Sequence, residues 1–581
     1  MEENSIRIDL HVHSKFSKRP SQWVLQKIGC PESFSEPLDI YRLARLRGMN
    51  RVTITDHNRI EGALEIAHLP GTFVSEEITT YFPEDHCKVH VLALDITEQQ
   101  HEDIQKIREN IYELVDYLID SKIMHIVAHS LFSINDRLTV THFEKMLLLF
   151  KVFELNGARN DSANECLRRV LSQLTPQTID RLMDKHGIEP RMKSPWRKGL
   201  TGGSDDHSSL NIARTYTEIP GTASMAEGFD RILNQQSRVV RHPSTPLTFA
   251  HNIYGIAYQF YRNRFGLKKY ANKDILMNFL DRSLRPQLDG EEPGFMAKIY
   301  HFFHYCRRPR LHSDVPESIA ALIRHETGKI LRDNPHRFDS LQTEDCGSGR
   351  PEKGWFDFVD QVSNGIMLTF ARHLMDNLSG ADVFNIFHTV GSAGGLYAML
   401  SPYFLAFSYF SQDREFSTQV YRHFGVTSHD MATPANGSKV AAYFVDRFSN
   451  PVAFTDNLNR FLPALVFTEK DVEILTCGSE HREDHPGLRC FEPVGTYEHA
   501  DFPDQPISFP PVLQMLHHCY SRNVSHIFSA TPGPVGLAAL IVARILKRPV
   551  YGTYHPSLSS YVPFMGEDES VADILERFTR W

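Results

Sequence analysis

Between residue 6 and about residue 220 the chain repeats one unit: a short apolar run, a polar cluster, then a stretch with helical spacing. Strand-length and helix-length segments in alternation predict an α/β domain. Candidate strands are Ile6–Leu10, Arg51–Thr55, Thr72–Ser75, Val89–Leu94, Ile123–Ala128, Lys151–Phe153 and a short run near Leu200. Between them, Ile104, Ile107, Ile111, Leu114, Val115, Leu118 and Ile119 lie on one stripe, the period of a helix with one buried face. About seven strands alternating with helices suit a barrel or a doubly wound sheet.

From about 240 to 430 the strand signals fade, and Ile253–Phe265, Ile275–Leu284 and Phe358–Leu378 have helical spacing. Leu341–Lys353 is polar and glycine-containing, a possible break. The glycines of Gly391–Gly395 follow no strand of β-branched residues, so a helix-packing or loop role is expected there, not a phosphate cradle. The aromatic density of Tyr300–Tyr305 at helical spacing reads as core. From Lys439 the α/β signal returns: KVAAYFVD as a strand, ALVFTEKDVEILTC as helix-to-strand or strand-rich, VSHIFSA as a strand, GPVGLAALIVARILK as a helix and PVYGTYH as a strand. That is the order of a nucleotide-binding type of sheet. Glu569–Trp581 places Val571, Ile574, Leu575, Phe578 and Trp581 on one helical face, which calls for a packing partner. The expected domains are 1–240, a mainly helical 241–435, and 436–581.

At 581 residues the chain has ample core for several domains. Lys and Arg number 62 against 71 Asp and Glu, a net charge of −9 with no long block of one sign. This argues against nucleic acid as a partner, and against a nuclease role. The 8 cysteines are scattered with no CxxC pair, which excludes a disulfide scaffold or zinc ribbon and fits a reducing compartment. The opening MEENSIRIDL has no apolar signal core, and no apolar run reaches the ~18–20 residues of a membrane span. A soluble cytoplasmic protein is expected.

The chemistry concentrates in histidine, with 30 in the chain. DLHVHS sets His11 and His13 two residues apart at a strand end, so both imidazoles share one face and can reach one metal. TDHN brings Asp56 and His57, SEEIT brings Glu77, KVHVLA brings His90, IVAHS brings His129, and GGSDDHS brings Asp205 and His207. All follow predicted strands, His90 less clearly than the rest. The C-terminal mouth of a barrel is where side chains from many strands converge. A set of N and O donors without thiolate suits Mn, Zn or Fe, with carboxylates free to bridge two ions.

In this order the motifs DLHVHS, TITDHN, the EE of SEEIT, VHVLA, VAHS and GSDDH, spread over residues 9–207, resemble the polymerase and histidinol phosphatase (PHP) family. The resemblance implies a distorted (β/α)7 barrel holding two or three divalent ions, most often in phosphoesterases. By position it implies that His11, His13, Glu77 and Asp205 hold one ion, that Glu77, His90 and His129 hold a second, and that Asp56, His57 and His207 serve a third. Some members carry another histidine six residues after the second motif histidine, where this chain has Arg19, and Asp56 could supply that ligand. Glu77 is preferred to Glu76 because it directly precedes Ile78 as in the family pattern, and Asp206 is a neighbour, not a ligand. Two ions ~3.5–4 Å apart would bind a phosphate oxygen and acidify a shared water, so that no protein nucleophile is needed. Lys15, Arg19, Arg159 and Arg214, in or just after the motif loops, are candidates to bind the phosphate, and Glu154 and Asn156 of FELNG to orient ligands.

The last part, through KVAAYFVDRF, VSHIFSATPGPVGLAALIVARIL and RPVYGTYHPSLSSYV, is similar to the N-terminal half of a retaining family-four GT-B glycosyltransferase. The resemblance implies a Rossmann-like acceptor-side domain, with His555 in the position of an active-site residue. The amides around Gly533 to Gly536 could hold an anion or simply start a helix. SNPVAFTDN replaces the family's glycine-rich loop, and the chain ends at Trp581 before a donor-binding half, so complete glycosyl transfer is not expected. The expected activity is hydrolysis of a phosphorylated small molecule, possibly sugar-linked. The alternatives are glycosyl transfer with a regulatory barrel, and a non-catalytic module with structural metals.

Overall fold

The computed structural model describes residues 5–18, 30–222, 224–242, 244–265, 275–286, 319–333, 351–379, 383–425, 440–446, 472–478, 487–499, 502–531 and 533–552. Arg19, Tyr300–Tyr305, His555 and the stripe of Glu569–Trp581 lie outside them. The fold is mixed α/β, in two compact units: one of Met1–Ser313, Asn334–Phe356 and Gln412–Asp430, the other of Asp314–Asp333, Asp357–Ser411 and Met431–Trp581. The residues expected to form a middle helical domain are thus shared between the two. No helix among the described residues is long and apolar enough to cross a membrane.

The first unit contains β1 (Ser5–Ile8), α1 (Pro37–Leu46), α2 (Glu61–Ile66), β2 (Ser75–Phe82), β3 (Cys87–Leu94), α3 (Glu98–Ile107), α4 (Ile111–Asp120), β4 (Met124–Val127), α5 (Val140–Leu149), β5 (Val152–Asn156), α6 (Asp161–Ser172), α7 (Pro176–His186), β6 (Gly199–Gly203), β7 (Tyr216–Pro220), α8 (Met225–Leu233), β8 (Arg238–Val240), α9 (Pro246–Arg264) and α10 (Ile275–Ser283). One sheet has the order β2-β3-β4-β5-β6. Its β2-β3 and β3-β4 pairs are antiparallel, and its β4-β5 and β5-β6 pairs parallel. A second, β1-β7-β8, is antiparallel. The isolated parallel bridge Val12↔Asp206 ties the extensions of β1 and β6 together, and Val52↔Thr72 and His57↔Glu77 tie the segment around 52–57 to β2 and the run before it. Ile6, Ile8 and Leu10 bury themselves against Leu92, Leu94, Ile126, Val152, Ile219 and Ile232. Each such side chain removed from water contributes about 1.5–3 kcal/mol.

Three expectations differ in detail. Arg51–Thr55 forms no ladder: Val52 makes a lone bridge, and Thr55 bonds Val12 through backbone and hydroxyl. The stripe from Ile104 to Ile119 is two helices, because Asn110 caps α4, its side chain accepting from Tyr112 N at 3.0 Å. Its hydrophobic face continues across that break, which is why the period alone hid it. Of the strand expected at Thr72–Ser75, Thr72 makes only a lone bridge, and the ladder begins at Ser75 and runs to Phe82, where the chain turns back at Pro83–His86 to pair β2 with β3.

The second unit draws on α11 (Ile319–Asp333), most of α12 (Pro351–Ser379) and α13 (Val383–Phe424), and then β9 (Ala441–Val445), β10 (Val472–Cys477), β11 (Leu488–Phe491), β12 (Gly495–His499), β13 (Phe502–Phe509), α14 (Val512–Ser521), β14 (His526–Ser529), α15 (Pro534–Leu546) and β15 (Val550–Gly552). Gly391–Gly395 lie within α13, consistent with a helical role and not a loop around phosphate. The five-stranded sheet is parallel throughout, in the order β11-β10-β9-β14-β15. Chain order within it is 3-2-1-4-5, the doubly wound arrangement in which ligands bind where the order reverses, here between β9 and β14. The chain fills part of that point itself. Asp446 accepts from Val535 N at 2.7 Å at the start of α15 and from the Thr531 hydroxyl at 2.5 Å. A Cβ on Gly533 would stand 2.5 Å from that carboxylate, so glycine is what admits it. Of the two readings of TPGPVGL, the described residues provide the helix start, with a side-chain anion already in place.

Candidate metal centre

Each strand end contributes donors because its backbone is pinned. After β1, Asp9 accepts from Ser204 N at 2.8 Å and Ala213 N at 2.7 Å, joining β1 to the loop after β6. Asp205 N donates to His11 O at 2.7 Å and His13 N to Asp206 O at 3.0 Å, which lays the loop beside His11 and His13. Gly203 makes that approach possible: a Cβ there would meet His11 Cβ at 2.4 Å and Glu154 Oε1 at 2.8 Å. Asp205 (φ 51°) and His129 (φ 29°) both hold left-handed backbone. For residues other than glycine that conformation carries strain, and strain of this kind clusters at functional sites.

Glu77 is the hub. Its Oε2 lies 3.3 Å from His11 Nε2, 3.2 Å from His13 Nε2 and 2.9 Å from His57 Nδ1. Its Oε1 lies 2.8 Å from His90 Nδ1 and 3.3 Å from His129 Nε2. Asp205 Oδ1 stands 3.5 Å from both His11 Nε2 and His13 Nε2, and 3.7 Å from His207 Nδ1. The His13 and His207 rings stack at 4.0 Å. Glu77 reaches the cleft from within β2 and not from its end, because the strand continues into the hairpin with β3. The alternation of β2 sends Glu76 the other way, where it accepts from His101 Nδ1 and Gln105 Nε2, each at 3.0 Å. Asp206 is likewise turned into its own loop, accepting from Asn211 N at 3.0 Å and the Ser208 hydroxyl at 3.1 Å.

Three donor groups could each hold an ion: His11, His13 and Asp205; His57, Glu77 and His90; and His13, His57 and His207. The donors approach one another closely, yet Glu77 Oε2, His57 Nδ1, His90 Nδ1 and His207 Nε2 are buried without a hydrogen bond. Buried polar atoms are normally satisfied, so groups this close and misaligned fit donors that meet at a shared cation. The electrostatics agree. Burial alone would raise the Glu77 and Asp205 carboxyls, but the surrounding imidazoles hold both well below their ordinary values. Burial would lower His11 and His13, but the facing carboxylates outweigh it and hold His11 well above its ordinary value and His13 up at about 10. The carboxylates thus demand positive charge, which either protons or metal ions can supply. Burial takes His90 down to about 3 and His207 down to about 4, leaving both neutral and ready to ligate.

Where Glu77, His90 and His129 are expected together, the structure groups His57 with Glu77 and His90, and neither His129 nor Asp56 falls in any of the three groups. Asp56 Oδ1 accepts from Ser14 N at 2.7 Å and from the Ser17 hydroxyl at 2.8 Å, and its Oδ2 accepts from the Ser14 hydroxyl at 2.6 Å. Ser17 Oγ in turn lies 3.0 Å from His13 Nδ1, so Asp56 acts on the centre by positioning. Glu154 Oε1 lies 2.8 Å from His11 Nδ1, and Asn156 Nδ2 bonds Glu154 Oε2 at 3.0 Å and Asp205 Oδ2 at 3.1 Å, so both orient donors. Lys15 pairs with Glu36 at 2.8 Å, and Arg214 bonds Asn211 at 2.9 Å, neither on the cleft wall. Arg159 does line the cleft. It is 9% exposed, its guanidinium lies 3.6 Å over the Phe132 ring, and Nη2 is 3.8 Å from Asp205 Oδ2. Its Nε and Nη1 make no hydrogen bond among the described residues. The lining also includes an apolar set, Phe132, Ile134, Phe249, Ile253 and Ile256. Glu32, which no motif singled out, also borders the cleft, 1% exposed.

No protein-family profile matches the chain. A stretch of 73 residues is 37% identical to an uncharacterized protein of Methanocaldococcus jannaschii, covering 13% of this chain and 41% of that protein. The chain therefore spans about two fifths of that relative's length.

Proposed function

We propose that the first unit is a metal-dependent phosphoesterase built on a distorted (β/α)7 barrel of the polymerase and histidinol phosphatase type. The observation that carries this reading is the buried Arg159, with unbonded N–H groups, on the wall of a cleft floored by converging imidazoles and carboxylates. The bridges that join β1 to β6 and the 52–57 segment to β2, with Thr55 N bonding Val12 O, support a ring of strands closed around that floor. Divalent ions there, Mn, Zn or Fe, would supply charge for the phosphoryl oxygens and a water acidic enough to attack near neutral pH. The guanidinium, stacked on Phe132, offers a phosphate a fixed positive charge and N–H donors with no partner among the described residues. Phe249, Ile253 and Ile256 of α9 keep bulk water from the reacting group, which strengthens each charge interaction. Glu154 and Ser17 hold His11 and His13 in register.

For the second unit we propose the fold of a GT-B acceptor-side domain, supported by its 3-2-1-4-5 sheet. Asp446 at its switch point speaks against anion binding there, so we assign the chemistry to the first unit. The test is metal content by mass spectrometry on protein purified without chelator, with phosphate release from a panel of phosphomonoesters in added manganese. Bound metal and turnover are expected, lost in Asp205→Asn, with KM raised roughly 10- to 100-fold in Arg159→Lys at unchanged metal content. Metal without turnover on any ester would overturn the reading.

A further inference from the structure

The group formed by His13, His57 and His207 supplies imidazoles and no carboxylate. The residue expected to complete it, Asp56, has both oxygens committed to Ser14 and Ser17. It is also packed against α2, where a Cβ on Gly62 would come 2.2 Å from its Oδ2. A different carboxylate stands at that place. Glu32, on the loop that leads into α1, puts Oε2 3.4 Å from His57 Nε2 and Oε1 3.7 Å from His207 Nε2. Ligands around a tetrahedral ion at ~2.0–2.2 Å stand about 3.3–3.6 Å from one another, so these separations are close to the edges of one coordination shell. Both imidazoles turn Nε2 toward Glu32, and the His207 Nε2 makes no hydrogen bond although buried.

We propose that Glu32 is the carboxylate ligand of a third ion held with His57 and His207, in place of Asp56. This rests on the metal-centre reading but not on the reaction. Glu32 would neutralise part of that ion's charge. It would also tie the loop before α1 to the centre.

The experiment is metal stoichiometry by mass spectrometry on full-length protein loaded with Mn(II) or Zn(II) and desalted, with far-UV circular dichroism to confirm folding. Wild type is compared with Glu32→Gln, His207→Ala and the double variant. Glu32→Gln and His207→Ala are each expected to hold one ion fewer than wild type, and the double variant to lose no more than either single. Full occupancy in Glu32→Gln overturns the assignment while leaving the centre itself intact. Metal-free wild type overturns the centre and this ligand with it. Should Glu32→Gln not fold, Glu32→Asp is read instead: release of its weakest ion at a chelator concentration about tenfold lower supports the assignment, and an unchanged release curve overturns it.

Discussion

Glu154 governs two imidazoles at once: Oε1 lies 2.8 Å from His11 Nδ1, and Oε2 accepts from the backbone N of His129 at 3.0 Å. It fixes which nitrogen His11 presents to the cleft and where His129 leaves β4. Glu154→Gln keeps the size but loses the charge, and its amide can present only one acceptor to these two donors. Metal affinity is expected to fall about 10- to 100-fold, as for other groups that orient ligands, measured by calorimetric titration of the apo-protein with Mn(II) or Zn(II). An unchanged affinity would reduce Glu154 to a structural bond. At this scale much of the site was legible, because a donor directly after an apolar run, as in DLHVHS or IVAHS, reports both a strand and its open end. What stayed hidden depends on side-chain direction. Asp56 and His57 are adjacent after one apolar run, yet one turns to serines and the other to the cleft. Glu32 follows Cys30 and Pro31 on a loop with no period to read, and only tertiary contact brings it to His57.

β6 is the element on which the centre depends most, since its glycines let two neighbours pack against bare backbone. Gly203→Ala would drive a methyl into His11 Cβ and the Glu154 carboxylate, neither of which has room to move. Overpacking of this kind costs about 1–3 kcal/mol. The expected result is a lower urea midpoint at unchanged slope, with metal lost in the same variant because His11 is displaced. A variant as stable as wild type with full metal would show that β1 can yield. The pattern of apolar residues was sufficient to place β1, β3, β4, β5 and β6, whose buried runs are short and bounded by polar clusters. It was not sufficient for partners. The β2-β3 hairpin, the β12-β13 hairpin and the antiparallel β7 and β8 follow from pairing between distant or turn-linked segments, which periodicity does not encode.

At the scale of the molecule, different conditions should govern the two units. The first is tied to its ions: a ligand that binds only the folded state stabilises it, by about 4 kcal/mol at a thousandfold excess over Kd. The second carries a pH dependence of its own. Asp360 is buried on α12, accepts from Gln514 Nε2 at 2.6 Å and Asn364 Nδ2 at 3.1 Å, and burial pushes its carboxyl from 3.8 up to about 6. Between these values the folded chain binds more protons than the unfolded one, so stability falls as pH rises through the window, and the full cost is present above it. The rise from 3.8 to about 6 corresponds to ~3 kcal/mol. Asp360→Asn keeps an oxygen for the donors without the charge, so at pH 7 it should slow amide exchange in peptides from β9, β10 and β14, with no effect at pH 4. Chelator should do the reverse elsewhere, speeding exchange in β1 to β6 and leaving β9 to β15 unchanged. Hydrogen exchange followed by mass spectrometry reads both sets of peptides in one sample. If chelation accelerates the two sets together, the units open as one cooperative body and the metal centre stabilises the whole chain.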